Sequence, residues 1–359
     1  MNNNYSVIIG TGSYIPANVV ENEAFADHVF YDGKGREIQK ENSEILDKFE
    51  QITTIAERRH ASDKYVTSDI AYMAAQAAIE DAGIDVESLD YIILAHNFGN
   101  IKAGQNRSDI LPTLAARVKQ KLGIENPATI AYDITFGCPG WVQAMIQANY
   151  YLRSGDVNRI LVIGADILSR VCDPHDRDSL LYADGAGAAI LERKESESPI
   201  GIIGHSSRSD TLNHAHLLFM DGSYNKEHED PSDLFLKMHG RRLYQYALEN
   251  VPTAIRDCLI KTKVDLADIS KILIHQANGK MDAAILERLY ELYPDVEIPD
   301  NVMPMTVDYL GNSSVATVPT LLDLILHGKM SDHSIQPGDK IVLTSVGAGM
   351  NINAIIYEF

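Results

Sequence analysis

Cysteine is sparse in this chain, and the placement of its few cysteines excludes two architectures. Cys138, Cys172 and Cys258 are odd in number and widely spaced, so they suit neither a disulfide framework nor a zinc-ligand cluster and point to a reducing compartment. Positive charge is also short. Lys and Arg total 31 against 50 Asp and Glu, a formal net charge of −19, which argues against nucleic acid as a partner. Long apolar runs are missing: nothing in the chain approaches the ~18 consecutive apolar residues of a membrane span, so no membrane insertion is expected. The opening MNNNYSVIIG has neither a basic segment nor an extended apolar core and reads as no secretory signal, so a cytoplasmic protein is expected. The His214/His216 pair lacks a third ligand at useful spacing, and no metal is expected.

What the chain does have is length and an internal repeat. Its 359 residues, 45% of them hydrophobic, suffice for a large core. Residues 84–94 line up with 264–274, and 159–164 with 340–345. Gly185-Ala186-Gly187 matches Gly347-Ala348-Gly349, each triplet read as a turn before a closing strand, and Gly137-Cys138 matches Gly311-Asn312. Four matches in one order imply duplication. Buried-strand runs alternate with helical patterns in each copy, so the expected class is α/β with mostly parallel sheets. The expected halves are residues 1–192 and 193–359. Near the start, Gly10-Thr11-Gly12 reads as a turn closing the first strand; a phosphate loop is disfavoured because no third glycine follows.

The stretch 133–152, DITFGCPGWVQAMIQANYYL, organises the chemistry. It presents Cys138 at the head of an apolar segment opened by Pro139, a residue tolerated in a helix's first turn. Free N–H groups and the helix macrodipole there favour thiolate, the nucleophilic form. The stretch alone leaves open a buried structural cysteine. The repeat adds what the stretch lacks. His275 directly follows a core strand, Asn312 occupies the slot of Cys138, and Gly347-Ala348-Gly349 offers turn N–H groups. In α/β folds ligands sit at such strand ends.

These motifs together, Cys138 before a buried helix, His275-Gln276-Ala277-Asn278, Gly311-Asn312-Ser313-Ser314 and Gly347-Ala348-Gly349, resemble the beta-ketoacyl-acyl-carrier-protein synthase III family of the thiolase superfamily. Ile9-Gly10-Thr11-Gly12 and Leu168-Ser169-Arg170-Val171-Cys172-Asp173-Pro174 carry the resemblance further, over nearly the whole chain. It implies a thiolase-like fold of two duplicated halves, layered α-β-α-β-α, and a homodimer. It also implies a decarboxylative Claisen condensation between an acyl group on Cys138 and a malonyl-type (or beta-ketoacyl) thioester on acyl carrier protein, in fatty acid or secondary lipid or polyketide synthesis, without a cofactor. His275 and Asn312 would donate to the enolate oxygen, and the N–H groups of Cys138 and the Gly347-Ala348-Gly349 turn would hold the oxyanion. A neutral amide at 312, where relatives that only transfer acyl groups carry an acid, favours decarboxylation.

Departures from the family pattern bear on the donor. Lys48 and Phe49 stand where the family places a tryptophan on the adenine of coenzyme A, and Ile52 where it places an arginine. Residues 31–42 and 99–108 look like insertions near the entrance. Both features favour an acyl group delivered on carrier protein over one on coenzyme A. Docking an acidic carrier on an acidic chain needs a local basic face, for which Lys280, Arg241 and Arg242 are the candidates. Two rival functions stand beside this one: a Cys-His-Asn thioester hydrolase or non-decarboxylating acyltransferase, and a non-catalytic subunit on the same fold.

Overall fold

Two mixed sheets carry the core in the computed structural model, which describes residues 3–359. The first is built from β1 (Asn3–Tyr14), β2 (Tyr91–Ala95), β3 (Ile130–Ile134), β4 (Arg159–Ile167) and β5 (Asp184–Ser196) in the order β1-β5-β4-β2-β3. The second contains β6 (Gly201–Ser209), β7 (Ile269–Ile274), β8 (Lys340–Gly347) and β9 (Asn351–Glu358) in the order β7-β8-β9-β6. The pairings repeat. β2 runs parallel to β4 as β7 does to β8, and β4–β5 and β8–β9 are both antiparallel. The counterpart of β3 has shortened to a loop, joined to β7 by the Ile272 N–H donating to the Val302 carbonyl. The chain changes sheet between Ser196 and Gly201.

Five layers follow from which faces are apolar. The helices Gly140–Ser154 and Thr317–Leu326 lie between the sheets, sharing one buried cluster with residues of both. An all-round apolar helix has no stable place except between two such faces. The helices Thr67–Ala82 and Leu114–Leu122 cover the first sheet, while Gly240–Thr262 and Gly279–Glu291 cover the second. This is the expected α-β-α-β-α arrangement, but the sheets are not mostly parallel as expected: only β2–β3, β2–β4 and β7–β8 pair in parallel, because β1, β5, β6 and β9 join antiparallel.

The glycines near the start have another purpose than a turn. β1 continues through Gly10 and Gly12, past a register shift between Ile8 and Gly10, and a Cβ on Gly12 would lie 2.4 Å from the Ala78 nitrogen. The missing side chains let the alanine-rich face of Thr67–Ala82 press onto the strand. Gly187 is likewise inside β5, not in a turn before it, and a Cβ there would meet Pro319 at 2.7 Å. In both places the sequence shows a permissive residue, while the reason for it lies on another element.

Candidate active site

The site is assembled where the duplicated strands end. Gly137, at φ +70°, bends the chain out of the segment after β3, and Cys138 follows immediately before Pro139, which caps the helix Gly140–Ser154. From the second half, Gly347 ends β8 against this bend: a Cβ there would lie 2.6 Å from the Cys138 nitrogen. A Cβ on Gly137 would in turn meet the Ala348 nitrogen at 2.8 Å. Two glycines thus bring the N–H groups of Cys138 and Ala348 together, and among the described residues neither N–H has a hydrogen-bond partner on another residue.

His275 follows β7, its backbone N–H bonded to Thr344 at 2.9 Å. Asn312 is anchored on both sides, its N–H donating to Leu181 and its carbonyl accepting from Ala183. Its Oδ1 accepts the Ser314 N–H at 2.9 Å, leaving Nδ2 as the donor end of the amide. Cys138, His275, Asn312, Gly347 and Ala348 all line one cavity of about 290 Å³, together with Asn97, Ser314 and Tyr182 and, over most of its wall, apolar residues such as Leu218, Phe219, Leu236 and Met350. Gly349, at φ +78°, shapes the turn but does not line the cavity.

Burial dominates the electrostatics. It pushes the Cys138 thiol up to about 11; a hydrogen bond from Ser314 opposes this, and the nearby Asp166 adds to it. The resting group is therefore a thiol, contrary to the expectation from the helix field alone. His275 is 3% exposed, and burial lowers it to about 4 against a backbone hydrogen bond with Ser314 that raises it. The ring is neutral at pH 7. Its Nδ1 is buried without a partner among the described residues.

A second cavity of about 660 Å³ shares Leu181, Met238, Leu243, Ala277 and Met281 with the first and forms its mouth. Lys40, Lys48, Arg177 and Arg241 line this mouth together with Ile38, Phe49, Ile52 and Tyr244. Lys280 is exposed in the first turn of Gly279–Glu291, beside the mouth residues Asn278 and Met281. Arg242 faces a separate groove with Asp210 and Glu249. Of the two expected insertions, the first reaches the mouth through Ile38 and Lys40; Ala103 to Arg107 of the second line a different, polar cavity.

Three residues beside the cysteine escaped the sequence reading as site residues. Ser314 Oγ lies 3.3 Å from Cys138 Sγ, Asn97 Nδ2 donates to Ser314 Oγ at 2.9 Å, and Asp166 accepts from the Asn97 backbone and amide at 2.9 and 2.7 Å. The signal available was Asp166 itself, a carboxylate ending an apolar strand. Among the described residues no group of three potential metal ligands occurs, and no helix is long and apolar enough to cross a membrane.

Comparison with known proteins agrees with this geometry. Residues 132–211 match the family model described as 3-oxoacyl-(acyl-carrier-protein) synthase III, and residues 259–359 match the model of its C-terminal part, together just over half the chain. The chain is similar to the 3-oxoacyl-(acyl-carrier-protein) synthase III of Aquifex aeolicus VF5, at 28% identity and a TM-score of 0.77, covering 99% of this chain and 100% of that one. The corresponding Thermus thermophilus enzyme shares 28% identity at a TM-score of 0.80, covering 98% and 99%. The priming β-ketosynthase of the R1128 polyketide pathway shares 25% at 0.79, covering 99% and 97%. The chain belongs to the 3-oxoacyl-(acyl-carrier-protein) synthase III family and is a condensing acyltransferase, a ketosynthase on the thiolase fold.

Proposed function

We propose that Cys138, His275 and Asn312 are the catalytic residues, and that the enzyme works in two stages on one cavity wall. In the first, the Cys138 sulfur attacks the carbonyl of an acyl thioester. The tetrahedral oxyanion forms against the Cys138 and Ala348 N–H groups, with Gly347 and Gly349 shaping that turn, and collapses to expel the donor thiol and leave acyl-Cys138. One such donor is worth ~3–4 kcal/mol in a dry site. Splitting the condensation through a covalent intermediate replaces one difficult step by two easier ones.

In the second stage a malonyl-type thioester enters by the same mouth. Its carboxylate leaves as CO2, and the electron pair of the broken C–C bond passes into an enolate whose charge gathers on the thioester oxygen. His275 and Asn312 Nδ2 donate hydrogen bonds to that oxygen. The carbanion then attacks acyl-Cys138, expels the thiolate and yields the β-ketoacyl thioester. The observation that carries this reading is one apolar cavity holding the thiol, a neutral imidazole, an amide with its acceptor end already tied and two unpartnered N–H groups. All the electrostatic work is done by groups of the chain itself, and no resident cofactor is required.

Acyl carrier protein is the donor best supported. The mouth carries Lys40, Lys48, Arg177 and Arg241 against Glu44 and Asp178, with Lys280 beside it, a net positive opening on a chain of net charge −19. A local basic rim on an otherwise acidic body steers an acidic carrier to the opening. Arg242, turned to the other groove, adds charge to that face without reaching the mouth. A homodimer is supported by the free edge of β3, where Ile130 is 47% exposed, and by the exposed Ile110 and Leu111 nearby in sequence. The two structural halves, expected as residues 1–192 and 193–359, supply the nucleophile and the donor pair respectively.

The test is intact-mass analysis after incubation with matched acyl-coenzyme A and acyl-carrier-protein panels. Wild type gains one acyl adduct, fastest from carrier protein, and Cys138→Ala gains none. An adduct that persists in Cys138→Ala refutes the assignment.

A further inference from the structure

Ser314 links the two halves of the site at a single residue. It stands at φ +55°, the left-handed region that a side chain rarely adopts, and is 4% exposed. From that backbone its N–H donates to Asn312 Oδ1 at 2.9 Å, while its Oγ faces Cys138 Sγ at 3.3 Å. A serine hydroxyl has one proton and can direct it either to the sulfur or to the Asp166 carboxylate, which also has Ser314 as a side-chain hydrogen-bond partner. What decides the direction lies behind it. Asn97 presents Nδ2, not Oδ1, to Ser314 Oγ, because Asp166 accepts from both the backbone N–H and Nδ2 of Asn97. Were the amide turned over, its oxygen would draw the serine proton from the sulfur and face a carboxylate.

We propose that Ser314 stabilises the Cys138 thiolate through a donated hydrogen bond, and that Asn97 and Asp166 are positioning residues that fix the direction of that bond. The proposal rests on Cys138 being the nucleophile and goes beyond it, because it assigns thiolate stabilisation to the side chains of Asp166, Asn97 and Ser314 rather than to those of His275 and Asn312, which meet Ser314 only at its backbone. A hydroxyl donating to an anionic sulfur is a charge-assisted bond, stronger than the same bond to the neutral thiol, so it favours ionisation. It counters the burial that raises Cys138. Both ends of the chain are held in the strand framework: Asp166 belongs to β4, and Asn97 follows β2. Its function thus depends on the same strand ends that create the cavity.

The experiment is the rate of Cys138 alkylation by iodoacetamide as a function of pH, with the modified peptide identified by mass so that Cys172 and Cys258 do not contribute. The charged and titratable groups around the thiol, Asp166, His275 and Tyr182, are kept in every serine variant. Ser314→Ala removes the donor. Ser314→Gly removes it while relieving the left-handed backbone, so its effect cannot be assigned to misfolding. Both should move the alkylation profile up by about one pH unit, making Cys138 about tenfold slower at pH 8. Asn97→Ala should slow it to a similar degree in the wild-type background and by less than about twofold in Ser314→Ala, the non-additivity expected of residues acting in series. Profiles of Ser314→Gly and wild type that superimpose overturn the proposal, and so do losses that multiply in the double variant. Acyl loading of the same wild-type preparation tests the nucleophile separately: a wild type that takes no acyl group on Cys138 defeats the catalytic reading, whatever the alkylation rates.

Discussion

Asn312→Asp should separate the two proposed stages of the reaction and have a pH signature of its own. The substitution preserves size, and one carboxyl oxygen can still accept the Ser314 N–H that Oδ1 accepts at 2.9 Å. The other oxygen replaces Nδ2. When ionised it donates nothing and sets a negative charge against the enolate; loss of one aimed donor alone costs ~10²–10³ in rate. Asn312 is 5% exposed, so burial will raise the new carboxyl. Asp166, buried nearby, is raised to about 6 for the same reason. The protonated acid has an O–H that can donate, and it is the form present below its pKa. Decarboxylation by Asn312→Asp, followed as labelled CO2 released from a malonyl thioester, should therefore fall about 10²–10³-fold at pH 8 relative to wild type. It should recover part of that loss toward pH 5. Acyl loading, read by intact mass, should stay within about threefold, because its oxyanion donors are backbone N–H groups. Equal losses in both half-reactions, or a decarboxylation deficit that does not change with pH, would refute the donor assignment.

Other perturbations address the framework. His275 is lowered from 6.5 to about 4 by burial, so between those values the unfolded chain binds the proton that the folded chain refuses, and stability rises with pH. That single group accounts for about 3 kcal/mol lost as pH falls from 7 to 4, and His275→Gln should flatten the urea-unfolding profile by that amount over this window. Gly347→Ala puts a Cβ 2.6 Å from the Cys138 nitrogen and 3.0 Å from its Cβ. It should cost ~1–3 kcal/mol of stability as overpacking while removing most acyl loading; a variant that loads normally would show that the bend tolerates displacement. Lys237 is 1% exposed, with Nζ 2.5 Å from Asp173 and 3.2 Å from Asp176. Lys237→Met leaves two buried carboxylates without their cation and should destabilise by ~3–5 kcal/mol, measured by urea at pH 7; a loss under about 1 kcal/mol would mean that water replaces the lysine.

The duplication was legible because it is a matter of order along the chain. Matching residues 84–94 to 264–274 and 159–164 to 340–345 places β2 with β7 and β4 with β8, and the pairings agree. The helix after Cys138 was legible because its apolar residues cover nearly every face, which leaves only the space between sheets; just its last turn, with Tyr150 and Tyr151, is exposed. What stayed hidden depends on contacts between elements distant in sequence. Gly12 and Gly187 read as turn glycines because their permissiveness is local, whereas the need for them arises at Ala78 and Pro319. The Asp166–Asn97–Ser314 chain joins β4, the loop after β2 and the segment after Gly311, with no spacing rule to reveal it. Arg241 and Arg242, adjacent in sequence, face different cavities because they lie at the start of a helix, where successive residues point about 100° apart.

The protonation states also bear on which Cys-His-Asn chemistry this wall suits. A cysteine hydrolase of the papain type depends on a thiolate held against an imidazolium, so that the cysteine is depressed by its charged neighbour. Here burial drives the two groups the other way, the thiol up to about 11 and the imidazole down to about 4. Neither is charged at pH 7, and the groups that shift Cys138 besides burial are Ser314 and Asp166, not His275. A neutral imidazole is poorly suited to stabilising a resting thiolate and well suited to donating a hydrogen bond to an oxygen that becomes anionic only during reaction. The same dry wall that suppresses a resting ion pair strengthens that bond when the enolate forms. It also disfavours the polar intermediates of hydrolysis by limiting water at the acyl-sulfur bond. The apolar lining and the neutral pair thus have one physical origin, and together they favour carbon–carbon bond formation over transfer of the acyl group to water.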